Sequence, residues 1–257
     1  MINREDYIEY LKSLSLSSST IKKYLYYFKY IPKNNIDKIK ISRYLNRCQN
    51  KSTARAVLKH WSDINELNLH IPLIRGRKRS RLIKVLSDNE RLLLRAEIYK
   101  KRIRYGILYD LLYYGGLRIS EALGVKYKDF NFTEKPCPLR VIGKGDKERI
   151  VFIPIEVVNN IIRYGTAKGV LKEDKVLNFT RYSFNKVIRK ISLEILDRNA
   201  YPHLLRHTIA SKWLNKGTDI YVIRDFLGHS SVLTTEKYLH SDLEKAYKVM
   251  RKNVVFD

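Results

Sequence analysis

A mainly α-helical chain with one small antiparallel β-sheet, split between two domains, is what the sequence predicts. Three observations carry that expectation. Apolar residues recur at helical spacing over most of the 257 residues. The period shifts to that of strands only in Pro138–Ile142 and Arg149–Ile153, two β-rich runs joined by Gly143-Lys-Gly-Asp-Lys-Glu148, a hairpin-like connection. A dense basic stretch then separates one helical block from the next, and no internal repeat links the two.

The first block, residues 1–74, reads as four short helices. Asp6–Leu14 opens it. Ser17–Thr20 offers N-cap candidates for a helix over Ile21–Ile31 that Pro32 ends. A third helix is predicted over Ile36–Cys48. A fourth covers Thr53–Leu67, with Ala54, Val57, Leu58 and Trp61 at i, i+3, i+4 and i+7 of one face. Such closely spaced helices are most economically packed as a compact four-helix unit.

Residues 75–85 read as a linker: Arg75, Arg77, Lys78, Arg79, Arg81 and Lys84, with Pro72 before them and Gly76 among them, favour an extended segment. The second block, 86–257, restarts at Ser87-Asp-Asn-Glu90, a capping box opening a helix through Tyr99. Helices follow over Ile103–Tyr114, ended by Gly115-Gly116, and from Arg118 to Gly124. After the hairpin come helices over Ile155–Tyr164, Ser183–Leu196, Pro202–Leu214, Thr218–Leu227, Val232–Leu239 and Asp242–Lys252.

Charge narrows the partners. The chain has 51 Lys and Arg against 26 Asp and Glu, a formal charge of +25, which suits a polyanion. There is no long uncharged apolar run and no signal-peptide pattern at Met1-Ile-Asn-Arg, so a cytoplasmic location without membrane contact is expected. Cys48 and Cys137 match no metal spacing and read as reduced, packed thiols. Lys22, Lys23, Lys29, Lys33, Lys38, Lys40 and Arg43 stand among Tyr24, Tyr26, Tyr27 and Tyr30. Singly, each lysine is a solvated residue; together they can face phosphates. Lys22, Lys23 and the linker residues Arg75, Arg77, Lys78, Arg79 and Arg81 are the DNA-contact candidates.

Candidate chemistry lies in three segments. Arg118, flanked by apolar residues, is expected to be partly buried and oriented by Glu121 one turn on. Alone that is a structural pair. Arg206 supplies a second guanidinium, and two can clamp the nonbridging oxygens of one phosphate. His203 and His207 are spaced i, i+4, but Leu204 breaks the H-E-x-x-H pattern and no third ligand is near in sequence. No metal is therefore expected. His203 reads as a proton acceptor or hydrogen-bond partner and His207 as structural. Lys144, between two glycines at the hairpin tip, does not fit a P-loop; it is an exposed turn lysine or a general acid. His229 follows Gly228 at a helix end, and Tyr238 is one of 19 tyrosines, notable only for its place after Leu227-Gly-His-Ser-Ser.

Taken together, Tyr114-Gly-Gly-Leu-Arg118-Ile-Ser-Glu121, Gly143-Lys144-Gly-Asp-Lys-Glu-Arg149, His203-Leu-Leu-Arg206-His207, Leu227-Gly-His229-Ser-Ser and Thr234-Thr-Glu-Lys-Tyr238 resemble the tyrosine recombinase (integrase) family, most of all its compact Xer-type members. Five motifs in order are far more specific than one, and they span the second block; the first block matches only in size and helical character. The resemblance implies a two-domain clamp on DNA: a helical, SAM-like core-binding domain over 1–74 and a catalytic domain over 86–257. It implies Arg118, Lys144, His203, Arg206, His229 and Tyr238 as the catalytic set, with Glu121 orienting Arg118 and no cofactor. It further implies a 3′-phosphotyrosyl intermediate, a double-stranded recombination site as partner, a tetramer on two duplexes, and docking on a neighbouring subunit for the C-terminal segment from Ser241, whose apolar face would otherwise cover its own domain. The lack of an arm-binding domain before residue 3 leans toward a simple Xer-like system, serving either chromosome or plasmid dimer resolution or integration of a mobile element. A type IB topoisomerase would use much the same residues to nick and reseal one duplex. A non-enzymatic architectural binder would explain the charge but not the ordered motifs.

Overall fold

A computed structural model describes residues 2–32, 36–73, 84–143 and 147–228. Lys33, Lys144, His229, Tyr238, the linker residues Arg75, Arg77, Lys78, Arg79 and Arg81, and the helices expected beyond residue 229 lie outside the described residues. The chain divides into two compact units, Met1–Arg81 and Leu82–Asp257.

The first unit contains α1 (Arg4–Ser13), α2 (Ser18–Phe28), α3 (Lys38–Arg47) and α4 (Lys51–Ile64). Each starts where a short polar side chain accepts from the helix's free N–H groups. Asn3 and Asp6 form a capping box for α1, and Ser17 caps α2. Asp37 accepts from the Lys40 N–H at 2.7 Å, which moves the start of α3 past the expected Ile36. Asn50 accepts from Thr53 N–H at 2.9 Å, which starts α4 two residues before Thr53. Tyr7, Leu11, Phe28, Ile41, Tyr44, Val57, Leu58 and Trp61 form the core, with Tyr7 and Phe28 stacked at 4.3 Å. The tyrosines at the end of α2 and just past it divide: Tyr27 is buried, while Tyr26 and Tyr30 are exposed and the Lys29 ammonium sits over both rings at 5.0 and 4.6 Å. Lys22 and Lys23 are exposed on the same helix.

The second unit runs α5 (Asp88–Lys101), α6 (Ile103–Tyr113), α7 (Ile119–Ala122), a 3₁₀ turn at Tyr127–Asp129, β1 (Cys137–Ile142), β2 (Glu148–Ile153), α8 (Ile155–Thr166), α9 (Arg181–Leu196), α10 (Pro202–Asn215) and α11 (Ile220–Leu227). The Ser87 capping box opens α5 as its pattern requires. Helix α6 is buried from Tyr105 to Tyr113 and packs against α5, α8 and α10, the environment of a helix that is apolar nearly all round, with Asp110 as its buried charge. The strands pair antiparallel from Cys137 opposite Ile153 to Ile142 opposite Glu148. Leu139, Val141, Val151 and Ile153 enter the core. Arg149 lies directly opposite Val141 and shares its face.

Helix α10 begins with Pro202 at its first turn and buries Leu204, Leu205, Thr208, Ile209 and Trp213. Helix α11 is capped by Asp219, which accepts from Tyr221 N–H at 2.6 Å, and Thr218 beside it is buried. Trp213 meets Phe226 edge-on at 4.9 Å, fixing α11 against α10. Cys48 and Cys137 are free, buried thiols, and burial raises Cys137 to about 11. Among the described residues, no helix is long and apolar enough to cross a membrane.

Candidate active site

Three arginines from separate segments of the second unit converge on one carboxylate and one helix end. Arg118 stands just ahead of α7, in the extended backbone that begins that helix. Glu121 turns back on it: one carboxylate oxygen accepts from the Arg118 backbone N–H at 2.9 Å and the other from Nη1 at 2.7 Å. Arg149 of β2 reaches the same carboxylate, with Nη2 at 2.7 Å and Nη1 at 3.4 Å. Arg206, on the buried side of α10 and 4% exposed, donates to the carbonyls of Gly116 and Leu227.

The last carbonyls of a helix have no partner within it, and here arginines provide one. Phe226 O accepts from Arg149 Nε at 2.8 Å, Leu227 O from Arg206 Nη2, and Gly228 O from Arg118 Nη2 at 2.6 Å. The negative end of the helix dipole favours cations at this position. Two glycines make the approach possible. Gly116 has φ +57°, and a Cβ on it would lie 2.5 Å from Leu227 Cδ2; Gly228 has φ +65°, and a Cβ there would press on Arg149 at 3.1 Å.

The cluster has more positive than negative charge. Burial acts to raise the Glu121 carboxyl, but hydrogen bonds from Arg149 and from the Arg118 backbone outweigh it, and the group is held below the ordinary carboxylate value. Glu121 therefore stays ionised, yet it faces three guanidiniums. Burial, followed by the charge of Arg118 and then of Arg149, pulls Arg206 down to about 10, with Glu121 offsetting only part. An anion beside Arg118 and Arg206 relieves that strain, and a phosphate has the oxygens to accept from both.

The sequence-derived site residues fall into three groups. Arg118, Glu121 and Arg206 come together at the end of α11. His203 is exposed on the first turn of α10, in contrast to buried Arg206 three residues on. His207 is also exposed; partial desolvation, then the charges of His203 and Arg206, lower its pKa. Lys144, His229 and Tyr238 lie outside the described residues, but the residues just before the first two do not: Gly143 N–H donates to Lys147 O at 2.8 Å at the base of the hairpin, and Gly228 ends α11 within the arginine cluster.

Arg149 was not singled out from sequence, although a signal for it exists. In Arg149-Ile-Val-Phe-Ile153 it has the same parity as Val151 and Ile153, so alternation assigns an arginine to the buried face of the strand. Among the described residues no group of His, Cys, Asp and Glu could hold a metal ion.

The chain is similar to known proteins in sequence and in fold. Residues 84–245 match the model of the phage integrase family. Tyrosine recombinase XerC of Staphylococcus aureus (strain JH9) is 27% identical over 274 aligned positions, covering 96% of this chain and 87% of XerC. The crystal structure of XerH site-specific recombinase bound to a palindromic difH substrate, a post-cleavage complex, superposes with a TM-score of 0.66 at 23% identity, over 89% of this chain and 76% of XerH. A lambda integrase tetramer bound to a Holliday junction gives a TM-score of 0.66 at 16% identity, over 91% of this chain and 78% of the integrase chain.

Proposed function

Because this chain belongs to the phage integrase family and is a Xer-like, site-specific tyrosine recombinase, we propose that it cuts DNA by attack of Tyr238 on a phosphate clamped by Arg118 and Arg206. The observation that carries this is the surplus of buried positive charge around Glu121, at the end of the helix whose chain runs on to His229 and Tyr238. Such a cluster stabilises charge that grows on the nonbridging oxygens of a phosphoryl transition state.

In the first step the Tyr238 phenolate oxygen bonds to phosphorus and the bond to the 5′ oxygen breaks. An ordinary phenol has a pKa near ~10, so proton removal helps the attack, and His203, solvent-facing beside Arg206, is the acceptor. Lys144 gives a proton to the departing 5′ oxygen, and His229 donates a hydrogen bond to the phosphate. The product is a 3′-phosphotyrosyl link. A 5′ hydroxyl from a partner duplex then attacks it, the phenol leaves, and the strands are exchanged without net loss of phosphodiester bonds. Neither a metal nor ATP takes part in this scheme.

DNA is the partner, and the protein works as an oligomer. We assign residues 1–74 to core binding, with exposed Lys22 and Lys23 on phosphates, and residues 75–85 to a basic strap in which Arg75, Arg77, Lys78, Arg79 and Arg81 follow the backbone. A tetramer holding two duplexes in the cytoplasm, with the segment after Ser241 docked on a neighbouring subunit, completes the reading; its task is dimer resolution or integration of a mobile element. On a nicked suicide duplex the wild-type protein forms a covalent adduct on a denaturing gel, whereas Tyr238→Phe binds the same duplex and forms none. An adduct with Tyr238→Phe refutes the assignment. A sulfur at the bridging 5′ position should restore cleavage to Lys144→Ala, because a thiolate leaves without a proton.

A further inference from the structure

We propose that Arg149 is a positioning residue that joins the hairpin, the Arg118–Glu121 pair and the end of α11 into one unit, without itself touching the phosphate. This rests on the recombinase reading and extends it to a residue outside the six assigned to the chemistry. Arg149 occupies a buried parity of β2, opposite Val141, and its side chain is 10% exposed. Its guanidinium has three separate tasks. Nη2 and Nη1 hold both oxygens of Glu121 at 2.7 and 3.4 Å, and Nε holds Phe226 O at 2.8 Å.

The neighbours enclose that guanidinium. A Cβ on Gly228 would lie 3.1 Å from Nη1 and 3.3 Å from Cζ, and a Cβ on Gly143 would lie 3.4 Å from Nη1 and 3.7 Å from Glu121 Oε1. The two glycines flank the hairpin tip that carries Lys144 and the chain that continues to His229. Backbone packs close to the guanidinium on these sides and all three of its nitrogens donate within the protein, whereas the Arg118 side chain is 29% exposed. Arg149 therefore acts through others. It supplies two of the four donors on Glu121, and Glu121 in turn sets the plane of Arg118.

A lysine can replace the charge but not the planar fork: one ammonium cannot meet both Glu121 oxygens and the Phe226 carbonyl in this geometry. Arg149→Lys is therefore the informative variant, with Arg149→Met as the neutral control. Two readouts decide. In single-turnover reactions on a nicked suicide duplex, Arg149→Lys should bind DNA like wild type yet form the adduct roughly ten- to a hundredfold more slowly. Combining it with Glu121→Gln should slow the reaction little further. Without DNA, the rise in unfolding temperature produced by sulfate should shrink in Arg149→Lys although the charge is kept.

Wild-type adduct rates and an unchanged sulfate response in Arg149→Lys overturn the proposal. So does a loss of DNA affinity that accounts for the slower adduct, which makes Arg149 a DNA contact, and so do Arg149 and Glu121 effects that multiply. Should wild type itself form no adduct, the recombinase reading fails, while the sulfate response still decides whether Arg149 positions the anion-binding arginines.

Discussion

Two carboxylates of the second unit are buried beside arginines, and they are matched to them in different ratios. Asp110, wholly buried on α6, takes Arg95 Nε and Nη2 at 2.6 and 2.7 Å and the Tyr99 hydroxyl at 2.6 Å. That hydrogen bonding raises Arg95 above its ordinary pKa. The fork meets the carboxylate in a bidentate pair whose charges cancel. Glu121, by contrast, serves Arg118 and Arg149 together, and Arg206 beside them is lowered rather than raised. The first arrangement is closed and holds α5 to α6. The second carries uncompensated charge in a partly buried place, a cost that a scaffold has no reason to bear and an anion-binding site does.

Substitutions can break this comparison. The largest effect is expected for Arg206→Met, which should slow adduct formation by about 10³-fold in single-turnover assays while leaving a folded protein; a wild-type rate would reduce Arg206 to a structural cap on α11. Asp110→Asn should do the reverse. Leaving Arg95 without its ion pair is expected to lower unfolding free energy by about 3–5 kcal/mol in denaturant titrations, with an unchanged adduct rate per folded molecule. Sulfate sharpens the contrast: tenfold above its dissociation constant it should add about 1.4 kcal/mol to wild type, the same to Asp110→Asn, and little to Arg206→Met.

The smallest effect is on acid stability. Glu121 is held below its usual value of 4.5, so its contribution is complete above that pH and is lost as pH falls through the lower folded-state value. Glu121→Gln should flatten that part of a plot of unfolding midpoint against pH. An unaltered acid limb would mean that other carboxylates carry it.

Much of the fold was legible because its signals are local. The Ser87–Glu90 box, Pro202 at the start of α10, the Gly115-Gly116 break and the change of period at Pro138 each act within a few residues, and the corresponding elements start or stop there. Misjudged boundaries at α3 and α4 have the same local origin: Asp37 and Asn50 were available as caps and took the role. Arg118 and Glu121 were readable as a pair because they lie one turn apart. Arg149 was not, since its partners are 28 and 77 residues away in the chain.

Sequence alone was enough for the helical character, the single hairpin, the basic balance and the order of the motifs, since capping, periodicity and charge are properties of neighbouring residues or of sums. The buried arginine surplus needed the fold. Guanidiniums from α10, β2 and the start of α7 come together only when α11 packs against α10 and presents the carbonyls of Phe226, Leu227 and Gly228. Contacts made across such separations depend on how helices and sheet pack, and no window of residues contains them.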